Sequence, residues 1–198
     1  MAGRRIRKRS LFWGLLVLVL LFLLGGNTLY RTLHRKYLEQ THPLRYSDLI
    51  ERYARERQLD PYLVYAVVKT ESGFDEKAVS SQGARGLMQL MEDAFDWVKF
   101  RMGDTQDTTY DDMYNAEDNL RYGTYMLMLL MEEYDNNVRT TMAAYHAGRG
   151  QINKWLADSE YSEDGNNLKH IPISDTNHYV KKVVTAWENY RELYASDE

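Results

Sequence analysis

The chain has 198 residues, no cysteine and a net charge of −4. That length suits one compact domain with an appendage. The missing cysteine excludes disulfides, iron–sulfur clusters, thiol nucleophiles and lipid attachment at a cysteine. The charge is lopsided: residues 1–36 hold eight of the 25 Lys and Arg and no acid, so the remainder carries a net −12. An acidic body repels phosphate backbones, which argues against nucleic acid as a partner and leaves neutral or weakly charged polymers open. Sixteen tyrosines stand against five phenylalanines. Their flat rings and hydroxyls suit both amphipathic packing and a sugar-lined groove.

At the amino terminus Arg4, Arg5, Arg7, Lys8 and Arg9 precede an uncharged run of 21 residues from Ser10 to Tyr30. At about 1.5 Å per residue such a run spans a hydrocarbon core of roughly 30 Å. The basic cluster should stay in the cytoplasm, with the rest of the chain outside. A cleaved signal peptide needs a small-x-small site after a shorter apolar core. LLGGNTLYRT offers Gly25 and Gly26 but no such pattern, so a retained anchor is expected. The expected layout is a basic tail over 1–9, a transmembrane segment over 10–30, a polar spacer over 31–46 and a folded domain over 47–198.

The folded part reads as all-α. After Pro61 the next proline is Pro172, and stretches rich in Leu, Met, Ala and Glu favour helix. Ser47 is expected to cap a first helix ending near Gln58. Asp60-Pro61 predicts a second, running to Glu71 or Ser72 and stopped by Gly73. Gly86 precedes a short apolar segment, LMQLMEDAFDWV, read as helix. Asn115 caps a longer one, with Glu117 and Asp118 in its first turn. Two short helices, Thr140 to Ala147 and Gln151 to Ala157, flank an AGRG turn. Tyr179, Val180, Val183, Val184, Trp187 and Tyr194 recur at helical spacing on a terminal helix.

Glu71 closes the helix that starts at Pro61. There the negative end of the helix dipole and the apolar neighbours Val67, Val68 and Phe74 both disfavour a carboxylate, so its pKa should rise. A carboxylic acid kept protonated near neutral pH can give its proton to a leaving oxygen, as glycosidic cleavage requires. Gly83 and Gly86 would let backbone approach a sugar closely. Gln89 offers a donor and an acceptor to an acetamido group.

ESGF, SSQGARGLMQLM, NLRYGTYMLMLL, AAYHAGRG and HYV occur in one fixed order. Together they make the chain resemble the Slt-type lytic transglycosylases of the lysozyme-like superfamily, over roughly Ser47 to Tyr194. The resemblance implies a lysozyme-like helical fold with a groove for peptidoglycan glycan strands. It also implies cleavage of the β-1,4 bond between N-acetylmuramic acid and N-acetylglucosamine, with a 1,6-anhydro-muramyl end as product. In that pattern Glu71 is the lone catalytic residue, and Ser72 helps hold the sugar or the acid. Met88 and Gln89 line the groove, Tyr145 lies near the acid, and Tyr179 hydrogen-bonds and orients it. No cofactor or metal is implied, and His34, His42, His146, His170 and His178 show no ligand pairs at helical spacing.

Two departures stand out. His146 replaces the asparagine usual in the AYNAG-like motif, so it is expected to contribute to the groove and to add a titration near neutral pH. MEDAF replaces the usual proline-containing start of the following helix. Two other functions compete with the lyase. A lysozyme-type hydrolase would need a second carboxylate, for which Asp75, Glu76, Glu92, Asp93 and Asp96 are nearby. A membrane-anchored glycan-binding scaffold would need none.

Overall fold

The structure, a computed structural model, describes residues 25–195. They fall into two compact units divided between Pro43 and Leu44. The first holds helix α1, described over residues 25–41. Residues 10–24 of the expected membrane segment lie outside the described residues. Among the described residues no helix is long and apolar enough to cross a membrane. The spacer expected over 31–46 is helical through residue 41.

The second unit is helical: α2 (Ser47–Glu56), α3 (Pro61–Ser72), α4 (Glu92–Met102), a 3-10 turn (Tyr110–Tyr114), α5 (Ala116–Glu133), α6 (Val138–Ala147), α7 (Arg149–Leu156) and α8 (Ser174–Tyr194). Its only β-type pairings among the described residues are isolated bridges, such as Arg85 with Leu90.

Helix α3 is the centre of the core. Leu63, Val64, Tyr65, Ala66, Val67 and Val68 are all buried, the pattern of a helix surrounded by protein. It packs on α8 and α2, and α8 packs also on α6. The Asp60 side chain accepts from the Tyr62 amide at 2.8 Å and caps its start. The other carboxylate oxygen of Asp60 accepts from Trp187 Nε1 at 2.7 Å, which ties that start to α8. Gly73, at φ 59°, ends the helix. Position 71 is thereby held at the end of a rigid, buried rod.

Helices α6 and α7 each begin two residues before the expected Thr140 and Gln151, at Val138 and Arg149, and two other starts differ in kind. Tyr46, in a left-handed conformation, occupies the cap position of α2, and Ser47 is already helical. The segment read as helix from Leu87 begins its helix only at Glu92. Gln89 sits at φ 48°, and the Arg85 and Leu90 backbones exchange hydrogen bonds of 2.9 and 3.1 Å. A tight loop replaces the first helical turn. A smaller apolar cluster of Leu90, Phe95, Val98, Met113 and Tyr122 supports it from below.

Candidate active site

Glu71 stands in the last turn of α3, where three other elements converge. Helix α8 brings Tyr179, whose hydroxyl donates to Glu71 Oε1 at 2.6 Å. Helix α6 brings Tyr145, whose hydroxyl donates to the Met88 carbonyl at 2.8 Å. The loop over 86–90 brings that carbonyl. Burial pushes the Glu71 carboxyl up to about 7, while the hydrogen bond from Tyr179 pulls it the other way. Burial, and then the charge of Glu71, hold both tyrosines well above the ordinary phenol value. Both therefore remain neutral hydrogen-bond donors at any working pH.

Burial raises the Glu71 carboxyl and Tyr179 lowers it, and no other carboxylate is among the groups that shift it. The nearby acids are engaged with Lys77 or exposed. Asp75 accepts from the Lys77 amide at 2.9 Å, and Glu76 lies 3.6 Å from Lys77 Nζ. Glu92, Asp93 and Asp96 are exposed on α4. Among the described residues no group of three or more His, Asp or Glu side chains is placed to hold a metal ion.

The remaining expected site residues serve the loop more than a ligand. The Ser72 hydroxyl donates to the Leu87 carbonyl at 2.8 Å and accepts from the Phe74 amide at 3.1 Å. It fastens the end of α3 to the loop. Met88 is fully buried, and its side chain packs on Gly123 of α5. Its contribution to the site is its backbone carbonyl, because an apolar side chain here finds the core. Gln89 Nε2 donates to Ala78 O at 3.1 Å and Gly86 O at 3.0 Å, so the donor half of its amide is already engaged.

Gly86 also acts inside the protein. A Cβ built there, at φ 74°, would run into the Met113 carbonyl oxygen and the Asn119 amide. The close approach that requires glycine is therefore to α5 and the 3-10 turn, not to a sugar. Gly83, at φ 93°, faces open space.

Asn119 is the residue that sequence reasoning missed. Fully buried on α5, it accepts from the Met88 amide at 2.7 Å. Its Nδ2 donates to the carbonyls of Arg85 and Met113, both at 2.9 Å. One side chain thus pairs with three backbone groups at this junction, two in the irregular loop and one in the 3-10 turn. The available signal was a polar residue one turn before Gly123, on the same side of α5 as Leu120 and Leu127. His146 is exposed, and its ring lies 4.5 Å from that of Tyr179, tilted by 30°.

A buried carboxylic acid beside two neutral phenols, at the end of a rigid helix, can give up a proton and take one back. Comparison with known proteins agrees with that chemistry. The model of the transglycosylase SLT domain matches residues 48–168, more than half of the chain. The soluble lytic murein transglycosylase of Escherichia coli K12 is 30% identical over 163 residues, covering 82% of this chain and 25% of its own length. The membrane-bound lytic murein transglycosylase C of Edwardsiella ictaluri is 26% identical over 174 residues, covering 75% of this chain and 47% of its own. The crystal structure of the 70 kDa soluble lytic transglycosylase of Escherichia coli superposes with a TM-score of 0.70 at 28% identity, over 78% of this chain and 25% of the other. The chain thus spans about a quarter of the length of the soluble relatives it matches.

Proposed function

Because the chain belongs to the transglycosylase SLT domain family, we propose that it is a lytic transglycosylase acting on the glycan strand of peptidoglycan, with Glu71 as its only acid and base. The observation that carries this reading is the buried Glu71 carboxyl, raised to about 7 by burial and with no second carboxylate among the groups that shift it. A hydrolase of the usual kind needs that second group to activate water or to attack the sugar. A muramyl residue carries its own nucleophile, the 6-hydroxyl. It is tethered to the reacting ring, so its effective concentration is very high.

The steps balance without water. Glu71 gives its proton to the glycosidic oxygen, and the bond from that oxygen to C1 of the muramyl unit breaks. The freed N-acetylglucosamine leaves with that proton. The 6-hydroxyl oxygen then bonds to C1, and Glu71, now a carboxylate, takes the hydroxyl proton. The product is the 1,6-anhydro ring, and the acid is restored. Tyr179, donating to Oε1, holds the carboxylate stage and keeps the carboxyl aimed. Tyr145, through the Met88 carbonyl, fixes the loop beside it. Of the residues expected to bind substrate, Ser72, Met88 and Gln89 act in this reading by shaping the loop beside the acid, and His146 has no part in the proton transfers themselves.

Mass spectrometry of sacculi digested by the protein tests this. Anhydro-muramyl ends are expected; reducing ends would make it a hydrolase, and no cleavage at all would leave a glycan-binding scaffold.

The same proposal places the enzyme at the membrane. The uncharged run over 10–30 behind the basic tail over 1–9 supports a retained anchor, with the domain over 47–198 on the extracytoplasmic side and residues 31–46 as the spacer. The relative from Edwardsiella ictaluri is itself named membrane-bound. The full-length chain should remain in the membrane pellet through washes in high salt and enter solution only with detergent. Release by salt alone would overturn the anchor.

A further inference from the structure

His146 is the departure from the family pattern that the proposed reaction leaves unused, and its surroundings are built. It sits in the last turn of α6, where the helix dipole favours a cation. Asp175 sits in the first turn of α8, where the dipole favours an anion. Their side chains meet with Nε2 3.7 Å from Oδ2. The other ring nitrogen, Nδ1, lies 3.3 Å from Thr176 Oγ1, and Thr176 is buried. A hydroxyl can donate to a neutral imidazole or accept from a protonated one. The Thr176 contact therefore survives either state, and the ring changes charge without having to move. The centre of that ring lies 4.5 Å from the centre of the Tyr179 ring, tilted by 30°, and the Tyr179 hydroxyl reaches Glu71.

From this geometry we infer that His146, braced by Asp175 and Thr176 and packed beside Tyr179, is a positioning residue whose charge shifts the pH range over which Glu71 keeps its proton. This deepens the function proposed above and rests on it for its catalytic consequence. The groups facing His146 are Asp175, Thr176 and Tyr179 on α8, Glu71 on α3 through Tyr179, and Tyr145 beside it on α6. Arg149, at the start of α7, is turned to Glu133 of α5 at 3.0 Å. A cation on the face of the Tyr179 ring is attracted to it, and the same cation favours the ionised form of Glu71. Protonated His146 therefore pulls the acid toward giving up its proton. An uncharged side chain at that position has no such effect.

Two measurements test the link. In the first, the alkaline limb of the pH–activity profile is followed in wild type, His146→Phe and His146→Lys. The Phe variant keeps the ring and loses the charge, so its midpoint should move up by roughly 0.2–0.7 of a pH unit, the range of a partly exposed charge pair. The Lys variant, charged throughout, should move it down, and both shifts should shrink in high salt. In the second, the His146 imidazole is titrated by NMR in wild type and in Glu71→Gln. Coupling between two sites is reciprocal, so loss of the Glu71 charge should lower the His146 pKa by a similar amount. The second measurement needs no activity. A His146 titration indifferent to Glu71→Gln, with coincident midpoints in all three proteins, would overturn the inference and leave the transglycosylase reading standing. Activity surviving in Glu71→Gln would instead overturn the reading itself.

Discussion

Glu71→Gln is expected to lower glycan cleavage by at least about 1,000-fold while leaving the fold intact. General acid catalysis by a placed side chain contributes about 100- to 10,000-fold, and here the same group makes both proton transfers. Glutamine keeps the shape and can still accept from Tyr179 through its carbonyl, but it has no proton to give. A turbidity assay on sacculi checks this, and equal clearing by wild type and variant would sink the mechanism.

The same substitution should raise stability, and the sign follows from the direction of the shift. Burial lifts the Glu71 carboxyl from an ordinary 4.5 to about 7 in the folded chain, so folding disfavours its ionised form. Stability associated with this group is whole below about pH 4.5, is lost as pH rises through about 7, and stays lost above that. At about 1.4 kcal/mol per pH unit the loss comes to about 3 kcal/mol. Denaturant unfolding of the two proteins should therefore agree near pH 4 and differ at pH 8.5, with the glutamine variant the more stable. Equal stabilities at both pH values would mean that the carboxyl is solvated, which removes the basis for its role as an acid.

What the sequence disclosed depended on whether local or distant groups decide the conformation. Helix α3 was legible from end to end because its determinants are local: Asp60 at the cap, Pro61 in the first turn and Gly73 at the stop. Glu71 was legible for the same reason, since its place follows from that stop. GLMQLM was misread as a helical start because its shape is imposed from outside. Asn119 on α5 binds the Met88 amide, and Tyr145 on α6 binds the carbonyl. The Tyr110 hydroxyl donates toward the carbonyls of Gly83 and Leu90, at 2.7 and 2.9 Å. None of these partners is adjacent in sequence. Composition could mark Met88 and Leu87 as apolar, but only the fold shows that Met88 turns inward onto Gly123. Asp175 reads along the chain as an ordinary acid in a first helical turn, and its meeting with His146 appears only when α6 and α8 are packed together.

Asn119→Ala should be among the most destabilising single changes where the loop meets α5 and should abolish activity in whatever fraction folds. The substitution removes the partner shared by the Met88 amide and the carbonyls of Arg85 and Met113, although the Arg85 carbonyl keeps the Leu90 amide at 3.1 Å. A buried polar group left unsatisfied costs about 1–3 kcal/mol, so the Met88 amide and the Met113 carbonyl together predict a loss of about 2 kcal/mol or more. Gly86→Ala attacks the same junction from the other side. Its Cβ would fall 2.9 Å from Asn119 Cγ and closer still to the Met113 carbonyl oxygen, in a left-handed conformation that already disfavours a side chain. Backbone cannot yield as a flexible side chain can, so a loss of similar size is expected. Gly83→Ala is the control: it carries the left-handed penalty of about 1–2 kcal/mol but meets nothing within 4 Å. Thermal or denaturant unfolding should rank Gly86→Ala and Asn119→Ala well below Gly83→Ala, and the Gly86–Asn119 double variant should lose less than the two single losses together, because both changes break one junction. If Gly86→Ala and Gly83→Ala instead proved equally mild, the loop would not be clamped to α5. Tyr145 would then have no fixed carbonyl to hold, and the alignment of the groups around Glu71 would need another cause.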